Sequence, residues 1–158
     1  MCMDVSIEIE NIKFNYRVAG IIKNKNNILL HKNDDDIFHA IPGGRIKIGE
    51  TSKEALKREF IEEMGLTPKK LKFRGIIENF FEYNNKKYHE VMIVYDVEFD
   101  PDCEIYKKDV IKGIEEESKL NFVWKTLDEI ENLDLRPKSL KDILVHKEGE
   151  CFDITEID

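Results

Sequence analysis

The sequence is short of the features that define several large classes of protein. Its three cysteines, Cys2, Cys103 and Cys151, are far apart and include no C-x-x-C pair, so they predict neither a disulfide framework nor a zinc site. No window approaches the roughly 20 apolar residues of a membrane-spanning helix. Residues 1–10 alternate apolar and acidic side chains, unlike a signal peptide. We therefore expect a cytoplasmic protein with reduced thiols and no membrane partner.

Positive charge is also scarce. The chain has 25 Lys and Arg residues against 33 Asp and Glu residues, a formal net charge of −8. Nucleic acids and anionic membranes are bound by clustered positive charge, so we expect neither as a partner. A small anionic substrate is compatible with this balance if a metal cation and local basic residues offset the field.

The length suits one domain, because domains cluster at about 100 to 150 residues. We expect residues 1–158 to form a single domain, with an acidic tail from Lys147 that frays. The sequence shows no internal repeat and no linker-like stretch.

Alternating apolar and polar residues predict strands on both sides of a central helix. The predicted strands cover residues 7–20, 21–30, 37–41, 71–83, 88–99 and 120–124. The central helix begins at a capping box formed by Thr51 and Glu54 and ends at Gly65, and shorter helices follow at 126–132 and 137–145. This mixture predicts an α/β (α+β) fold, with a mixed β-sheet flanked by helices.

The segment between Gly44 and Leu66 combines glycines with carboxylates. It reads G-R-I-K-I-G-E-T-S-K-E-A-L-K-R-E-F-I-E-E-M-G-L. Residues three and four apart share a helix face, so Glu59, Glu62 and Glu63 project from one side of the predicted helix. Three like charges repel one another unless a cation lies among them. An oxygen-rich cluster of this kind suits a hard divalent cation, Mg²⁺ above all.

This segment resembles the signature of the Nudix hydrolases, G-x5-E-x7-R-E-U-x-E-E-x-G-U, at every specified position, where U is a bulky apolar residue. Phe60 and Leu66 occupy the two U positions, and an aliphatic residue is more usual at the first. The resemblance implies an α/β/α sandwich. It also implies divalent-metal-dependent hydrolysis of a phosphoanhydride bond in a nucleoside diphosphate linked to another moiety. Among such substrates we expect a nucleoside triphosphate first.

The resemblance further implies roles for individual residues. The metal-binding set is Glu59, Glu62, Glu63 and the backbone of Gly44, with Mg²⁺ or Mn²⁺ as the cofactor. Glu59 is also a candidate general base. Arg58 is expected to lie beside the carboxylate face and to orient one of its carboxylates, with Glu50 as its partner.

In several Nudix enzymes a second acidic residue, well after this segment, acts as the base or as a further metal ligand. Here the candidates are Glu90, at the start of a predicted strand, and the run Glu115 to Glu117, of which Glu117 is taken as catalytic. A run of glutamates is more often a solvated loop, and the sequence does not choose among them. Tyr83, His89 and Glu90, around the predicted hairpin, are candidate substrate contacts.

Several substrates and one non-enzymatic role are alternatives. The sequence lacks the marks of NADH and coenzyme A pyrophosphatases, and it has no proline where ADP-ribose pyrophosphatases carry one. Tyr83 lies near the position of a tyrosine in dinucleoside polyphosphate hydrolases, so those substrates and nucleotide sugars are alternatives. A non-catalytic nucleotide-sensing module is another. Nudix domains often form homodimers, but no stretch here identifies an interface.

Overall fold

The computed structural model of the chain describes residues 3–115 and 119–158. Within these ranges the elements are, in order, β1 (Ser6–Ile9), β2 (Ile12–Asn24), β3 (Asn27–Asn33), β4 (Gly43–Arg45), α1 (Ser52–Met64), β5 (Lys70–Tyr83), β6 (Lys86–Glu98), β7 (Val110–Lys112), β8 (Leu120–Thr126), α2 (Leu127–Glu131), α3 (Ser139–His146) and β9 (Phe152–Ile157). A short 3₁₀ turn covers Glu104–Tyr106. None of the helices in the described ranges is both long and apolar enough to cross a lipid bilayer.

The strands form one mixed sheet in the order β7-β8-β3-β2-β6-β5-β9, with β1 and β4 also paired to β2. β2 runs parallel to β6, and β5 runs parallel to β9. β2 pairs with β3 only near their shared turn, at Lys23 and Asn24. Further back along β2, the residues from Arg17 to Ala19 pair with β4 instead. β2 therefore changes its neighbour midway along its length, and α1 lies against β2 and β4.

Alternation along β2 supplies two hydrophobic cores. Val18 and Ile22 lie in the core that includes Leu56 and Phe60 of α1. Ala19 and Ile21, of opposite parity, lie in a second core that includes Ile130 of α2 and Ile143 of α3. Because side chains alternate between the faces of a strand, the helices cover both faces of the sheet. The predicted sandwich of a mixed sheet between helices is therefore confirmed.

The central helix and the hairpin agree closely with their predictions. Thr51 and Glu54 form a complete capping box at the start of α1, and Gly65 adopts a left-handed φ of 68° at its end. The turn between β5 and β6 places Asn84 at φ 49° and Asn85 at φ 60°, the paired positive values of a two-residue hairpin turn. Both elements are specified by neighbouring residues, which is why they could be predicted locally.

Two predictions about the backbone were wrong, and the first is the strand at residues 37–41. These residues make isolated bridges instead, one of which joins His31 and Ala40. The strand lies just beyond, where Gly43 and Gly44 begin β4. Glycine is needed there because a Cβ on Gly43 would lie 2.1 Å from the carbonyl oxygen of Val18. Gly43 thus marks a close backbone approach within the sheet.

The acidic tail, for which the sequence predicts fraying, contains β9 instead. β9 pairs in parallel with β5, and its Phe152 and Ile154 pack against the second core. The buried Arg74 holds the connection before it, because its guanidinium donates to the carbonyls of Lys147 at 2.9 Å and Glu150 at 2.8 Å. Alternate residues of β9 are partly buried, but only Phe152, Asp153 and Ile154 show this period of two as alternating apolar and acidic side chains.

Candidate active site

Arg58 lies at the centre of a carboxylate network on α1. Its Nε donates to Oε1 of Glu50 at 2.5 Å, and its Nη2 donates to Oε2 of Glu50 at 3.0 Å. Its Nη1 donates to Glu59 at 2.9 Å and to Glu62 at 3.1 Å. The same Nη2 reaches the carbonyl of Arg45 at 3.0 Å. The pairing with Glu50 is as the sequence predicts, but Arg58 also reaches two carboxylates of the face that it was expected only to adjoin.

Glu63 is the most deeply buried carboxylate of this helix, with 7% of its surface exposed. Its Oε2 has no hydrogen-bond partner within residues 3–115 and 119–158. Burial, followed by the charges of Glu59 and Glu115, raises the pKa of Glu63 to about 8, against an opposing effect of Arg17. Burial also raises the pKa of Glu59, although Arg58 opposes the shift. The carboxylates of Glu59 and Glu63 therefore lie close together, and one oxygen of Glu63 has no partner among the described residues.

Gly44 brings the backbone of β4 against the carboxylate of Glu59. A Cβ at this position would lie 2.3 to 2.6 Å from the three carboxyl atoms of Glu59. Any side chain here would displace that carboxylate. The glycine of the sequence motif is thus explained by the space that Glu59 occupies.

The donor set fits a divalent cation that is shared with a substrate. In the described part of the chain, no three His, Cys, Asp or Glu side chains are gathered closely enough to enclose an ion by themselves. Mg²⁺ rarely needs such an enclosure, because it keeps several waters and usually takes one or two carboxylates together with substrate phosphates. The unpartnered Oε2 of Glu63 and the facing carboxylate of Glu59 provide such a pair.

A loop after β7 brings another acidic residue to this cluster. The N–H of Ile114 donates to the backbone carbonyl of Glu63 at 2.8 Å, which joins the loop to the end of α1. The neighbouring Glu115 raises the pKa values of both Glu59 and Glu63 through its charge. Glu116 and Glu117 lie outside the described residues. Of the predicted acidic run, Glu115 is therefore the member that the structure places near the helix carboxylates.

A pocket of about 260 Å³ lies on the sheet face that carries α2 and α3. Phe81 and Tyr88 form one wall, with their rings stacked at 4.9 Å and only 2° apart in plane. Phe38 belongs to another wall, and the guanidinium of Arg136 lies 5.7 Å from the centre of its ring. Flat aromatic walls of this kind suit a planar ring system.

The floor of the pocket is polar and buried. Glu90, 8% exposed, accepts a hydrogen bond from Asn15 at 2.8 Å and lies 3.9 Å from Nη1 of Arg17. Asn79 is 7% exposed, and its Oδ1 has no partner anywhere in the described chain. The buried Nε of Arg17 also lacks one among the described residues. These side chains come from β2, β5 and β6, so the floor depends on the pairing of three strands.

The predicted substrate contacts are distributed unequally around this pocket. Glu90 lines its floor from inside β6, rather than from a strand start, and the half-exposed Tyr83 lies at its rim. His89 projects from the other face of the sheet, where its ring stacks on Phe80 at 4.3 Å and meets Phe14 edge-on at 5.1 Å. This placement does not support a substrate contact for His89, because neighbours along a strand point to opposite faces.

Sequence reasoning missed Arg17 and Asn79. Asn79 interrupts an apolar face of β5 between Ile77 and Phe81, and that irregularity was the available signal. Arg17 gave a weaker signal, because it follows Asn15 on a face of β2 that becomes apolar only from Ala19. Arg17 is notable because it lines the pocket and also acts on the pKa of Glu63. It therefore lines the aromatic pocket and is within electrostatic reach of the carboxylate cluster.

Comparison with known proteins agrees with this arrangement. A family model described as the NUDIX domain matches residues 13–144. An ADP-ribose pyrophosphatase of Methanocaldococcus jannaschii is 45% identical over 62 residues, which are 37% of this chain and 37% of that protein. An 8-oxo-dGTP diphosphatase of Escherichia coli is 44% identical over 55 residues, 32% of this chain and 43% of that protein. The matched segments thus span less than half of either relative.

Solved structures share the fold over nearly the whole chain. A MutT protein from Bacillus halodurans superposes with a TM-score of 0.68 at 19% identity, covering 90% of this chain and 89% of that one. A Nudix hydrolase from Nitrosomonas europaea superposes with a TM-score of 0.61 at 17% identity, covering 90% of this chain and 78% of that one. At these identities the likeness concerns the fold alone.

Proposed function

This chain belongs to the Nudix hydrolase family, and from that premise we propose that it hydrolyses a phosphoanhydride bond in a small nucleotide substrate with the help of a divalent cation. The substrate is a nucleoside diphosphate linked to another moiety, and a nucleoside triphosphate is the first candidate. The observation that carries the proposal is the carboxylate pair of Glu59 and Glu63, one held by Arg58 and the other with an unpartnered oxygen.

The proposed reaction adds water to phosphorus. The water oxygen forms a bond to the phosphorus, the bridging P–O bond breaks, and the leaving phosphate keeps the electron pair. Glu59 accepts the proton from the water, or Glu115 or Glu117 does so. The cation, when bound, neutralises phosphate charge and makes the water more acidic.

The chain's own residues orient these groups. Glu59, Glu62, Glu63 and the backbone of Gly44 are the proposed metal-binding set, with Mg²⁺ or Mn²⁺. Arg58 is a positioning residue, because it fixes Glu50, Glu59 and Glu62 with separate N–H donors. The aromatic pocket is proposed to receive the nucleoside end of the substrate, with Glu90 on its floor and Tyr83 at its rim.

The relatives widen the range of substrates to be tested. One is named an ADP-ribose pyrophosphatase and another an 8-oxo-dGTP diphosphatase. ADP-ribose therefore returns as a candidate, although this sequence lacks the proline associated with that activity. Dinucleoside polyphosphates and nucleotide sugars are alternatives, and a non-catalytic sensing module is the alternative outside enzymology.

The test is a panel of nucleoside triphosphates, 8-oxo-dGTP, ADP-ribose, dinucleoside polyphosphates and nucleotide sugars, assayed for product release with Mg²⁺ and with Mn²⁺. We expect turnover of at least one compound, and its loss on chelation of the metal. Glu62→Gln and Glu63→Gln should lower kcat/KM by about 100-fold, because each removes a charge from the cation site. Glu131→Gln, an exposed change on α2, should leave it unchanged. Binding without turnover of any compound would favour the sensing module.

We also propose that the chain acts in the cytoplasm as a single catalytic domain. The scattered cysteines, of which Cys103 and Cys151 are free thiols, suit a reducing compartment. Fractionation of cells that express a tagged chain tests the location. Light scattering coupled to size exclusion distinguishes a monomer from a homodimer.

A further inference from the structure

We propose that the floor of the aromatic pocket selects a guanine-type base, and that Glu90 and Asn79 are the residues that determine this specificity. The inference rests on the proposed function, since it assigns the nucleoside end of the substrate to this pocket. It goes beyond that function because it names the base and the atoms that read it.

The floor presents a donor and two acceptors in order across the sheet. Arg17 is on β2, Glu90 on β6 and Asn79 on β5, and these strands are adjacent in that order. Arg17 lies two residues along β2 from Asn15, the β2 partner of Glu90. Glu90 and Asn79 are direct partners in the register of β5 and β6. Arg17 contributes N–H donors, Glu90 contributes carboxylate oxygens, and Asn79 contributes an amide oxygen.

A hydrogen bond from β2 fixes the carboxylate of Glu90. Asn15, directly beside Glu90 in the register of β2 and β6, donates its Nδ2–H to Oε2 of Glu90 at 2.8 Å. Its own Oδ1 accepts the hydroxyl of Ser6, also at 2.8 Å. Both ends of the Asn15 amide are therefore used. Oε1 of Glu90 takes part in neither the bond to Asn15 nor the contact with Arg17.

The flanking groups have unmet hydrogen-bonding capacity. Oδ1 of Asn79 and Nε of Arg17 are buried, and neither finds a partner in residues 3–115 or 119–158. Buried polar atoms are almost always paired in folded proteins, so two unpaired atoms in one pocket point to a ligand that supplies their partners. That ligand must bring a donor to Asn79 and an acceptor to Arg17.

Guanine supplies this pattern. Its pairing edge carries a carbonyl oxygen (O6), a ring N–H (N1) and an amino group (N2) in sequence, which complements donor, acceptor and acceptor. Adenine would place the lone pair of its ring N1 against the carboxylate of Glu90, and the pyrimidines offer only one donor on this edge. Sites that pair with specific N–H groups reject analogues that lack them far more strongly than apolar pockets can.

The walls suit the same ligand. The stacked rings of Phe81 and Tyr88, 2° apart in plane, offer a flat surface to a bicyclic base.

The experiment compares kcat/KM for GTP, ITP and ATP in the unaltered protein with Mg²⁺. We expect GTP to exceed ATP by at least about 10-fold, the usual value of one well-placed pair of hydrogen bonds to a base. ITP lacks the 2-amino group, so it should fall between them, and this arm needs no substitution. A GTP to ATP ratio near one, or ITP equal to GTP, would overturn the assignment.

Two variants assign the roles. Asn79→Ala should remove the advantage in kcat/KM that GTP has over ITP. Glu90→Gln should abolish the preference for GTP over ATP, whereas Glu78→Gln, an exposed carboxylate on the other face of β5, should preserve it. If the role of Glu90 were purely structural, Glu90→Gln would lower kcat/KM equally for GTP, ITP and ATP. That result would contradict the proposal.

Binding separates this inference from the proposed function. Calorimetry with GDP and ADP, without metal, measures the pocket independently of hydrolysis. If no compound is hydrolysed but GDP binds at least about 10-fold more tightly than ADP, the hydrolase proposal fails and the base assignment stands. If a compound is hydrolysed but the two nucleotides bind equally, the base assignment fails and the hydrolase proposal stands.

Discussion

Arg58 shows how much of the site depends on the shape of one side chain. Its guanidinium makes four contacts to carboxylate oxygens of Glu50, Glu59 and Glu62. A planar fork can hold several carboxylates at once, and an ammonium group is a point charge that cannot. The geometry of the cluster is therefore set by the fork rather than by positive charge alone.

Replacing Arg58 with Lys should lower kcat/KM by about 10- to 100-fold, the usual cost of losing a group that orients metal ligands. The charge is kept, so the loss reports the lost fork. Steady-state kinetics with a saturating metal concentration measures it, and Lys57→Gln on the exposed face of α1 is the control. Wild-type kinetics in the Lys variant would show that charge alone is enough.

The two adjacent glycines of β4 are needed for different reasons, Gly43 for folding and Gly44 for the position of Glu59. A Cβ on Gly43 would meet the backbone of Val18 at 2.1 Å, whereas a Cβ on Gly44 would meet the carboxyl group of Glu59. Backbone cannot move aside, but the end of a glutamate side chain can. We therefore expect Gly43→Ala to cost about 2 kcal/mol of unfolding free energy.

Gly44→Ala should cost less than about 1 kcal/mol and still displace Glu59. Its kcat/KM should fall by about 10-fold or more, since the displaced carboxylate leaves the bond to Arg58. Urea denaturation and kinetics on both variants check the pair. Equal losses of stability would contradict the distinction between them.

At the scale of elements, local sequence specifies α1 and the β5–β6 hairpin, whereas distant pairing specifies β4 and β9. Thr51, Glu54 and Gly65 mark the ends of α1 within one short segment, so the helix and its carboxylates could be predicted. β4 and β9 pair with strands that are far away in the chain, so no local sequence signal predicts them. The pocket floor was unpredictable for the same reason.

Within the final third of the chain, β9 depends on Arg74. This buried guanidinium binds Asp96 at 2.8 Å and the carbonyls of Lys147 and Glu150. Arg74→Ala should lower the free energy of unfolding by about 1 to 3 kcal/mol, because it removes a buried guanidinium and leaves two backbone carbonyls and a carboxylate without their partner.

Hydrogen exchange tests whether the loss is local. Amides of β9 should exchange faster in the Arg74 variant than those of β3, which lies across the sheet. The exposed Lys72→Ala on the same strand should change stability by no more than about 0.5 kcal/mol. Uniformly faster exchange would mean that Arg74 supports the fold as a whole.

For the molecule as a whole, His31 links stability to pH. Burial, then the charges of Arg17 and His39, lower its pKa from 6.5 to about 4. The folded state therefore disfavours the charged form, and between pH 6.5 and 4 the unfolded chain binds more protons. The contribution of His31 to stability is complete above pH 6.5 and declines as the pH falls through this window.

His31→Phe removes the titration and keeps a ring against Phe122, on which His31 stacks at 5.9 Å. Between pH 7 and pH 5 the unaltered protein should lose about 1 to 2 kcal/mol more than the variant. Urea denaturation at both pH values gives the comparison. Parallel pH profiles would show that His31 ionises in the fold as it does in water.

The change of partner along β2 has an evolutionary consequence. This strand contributes Arg17 to the pocket and also supports Gly44 beside the helix carboxylates, while most other pocket residues come from β5 and β6. The proposed hydrolytic site and the proposed base pocket thus both depend on β2 but share few side chains. Substitution of the inward-facing residues of the β5–β6 hairpin can therefore change the substrate while the residues proposed to catalyse hydrolysis stay the same.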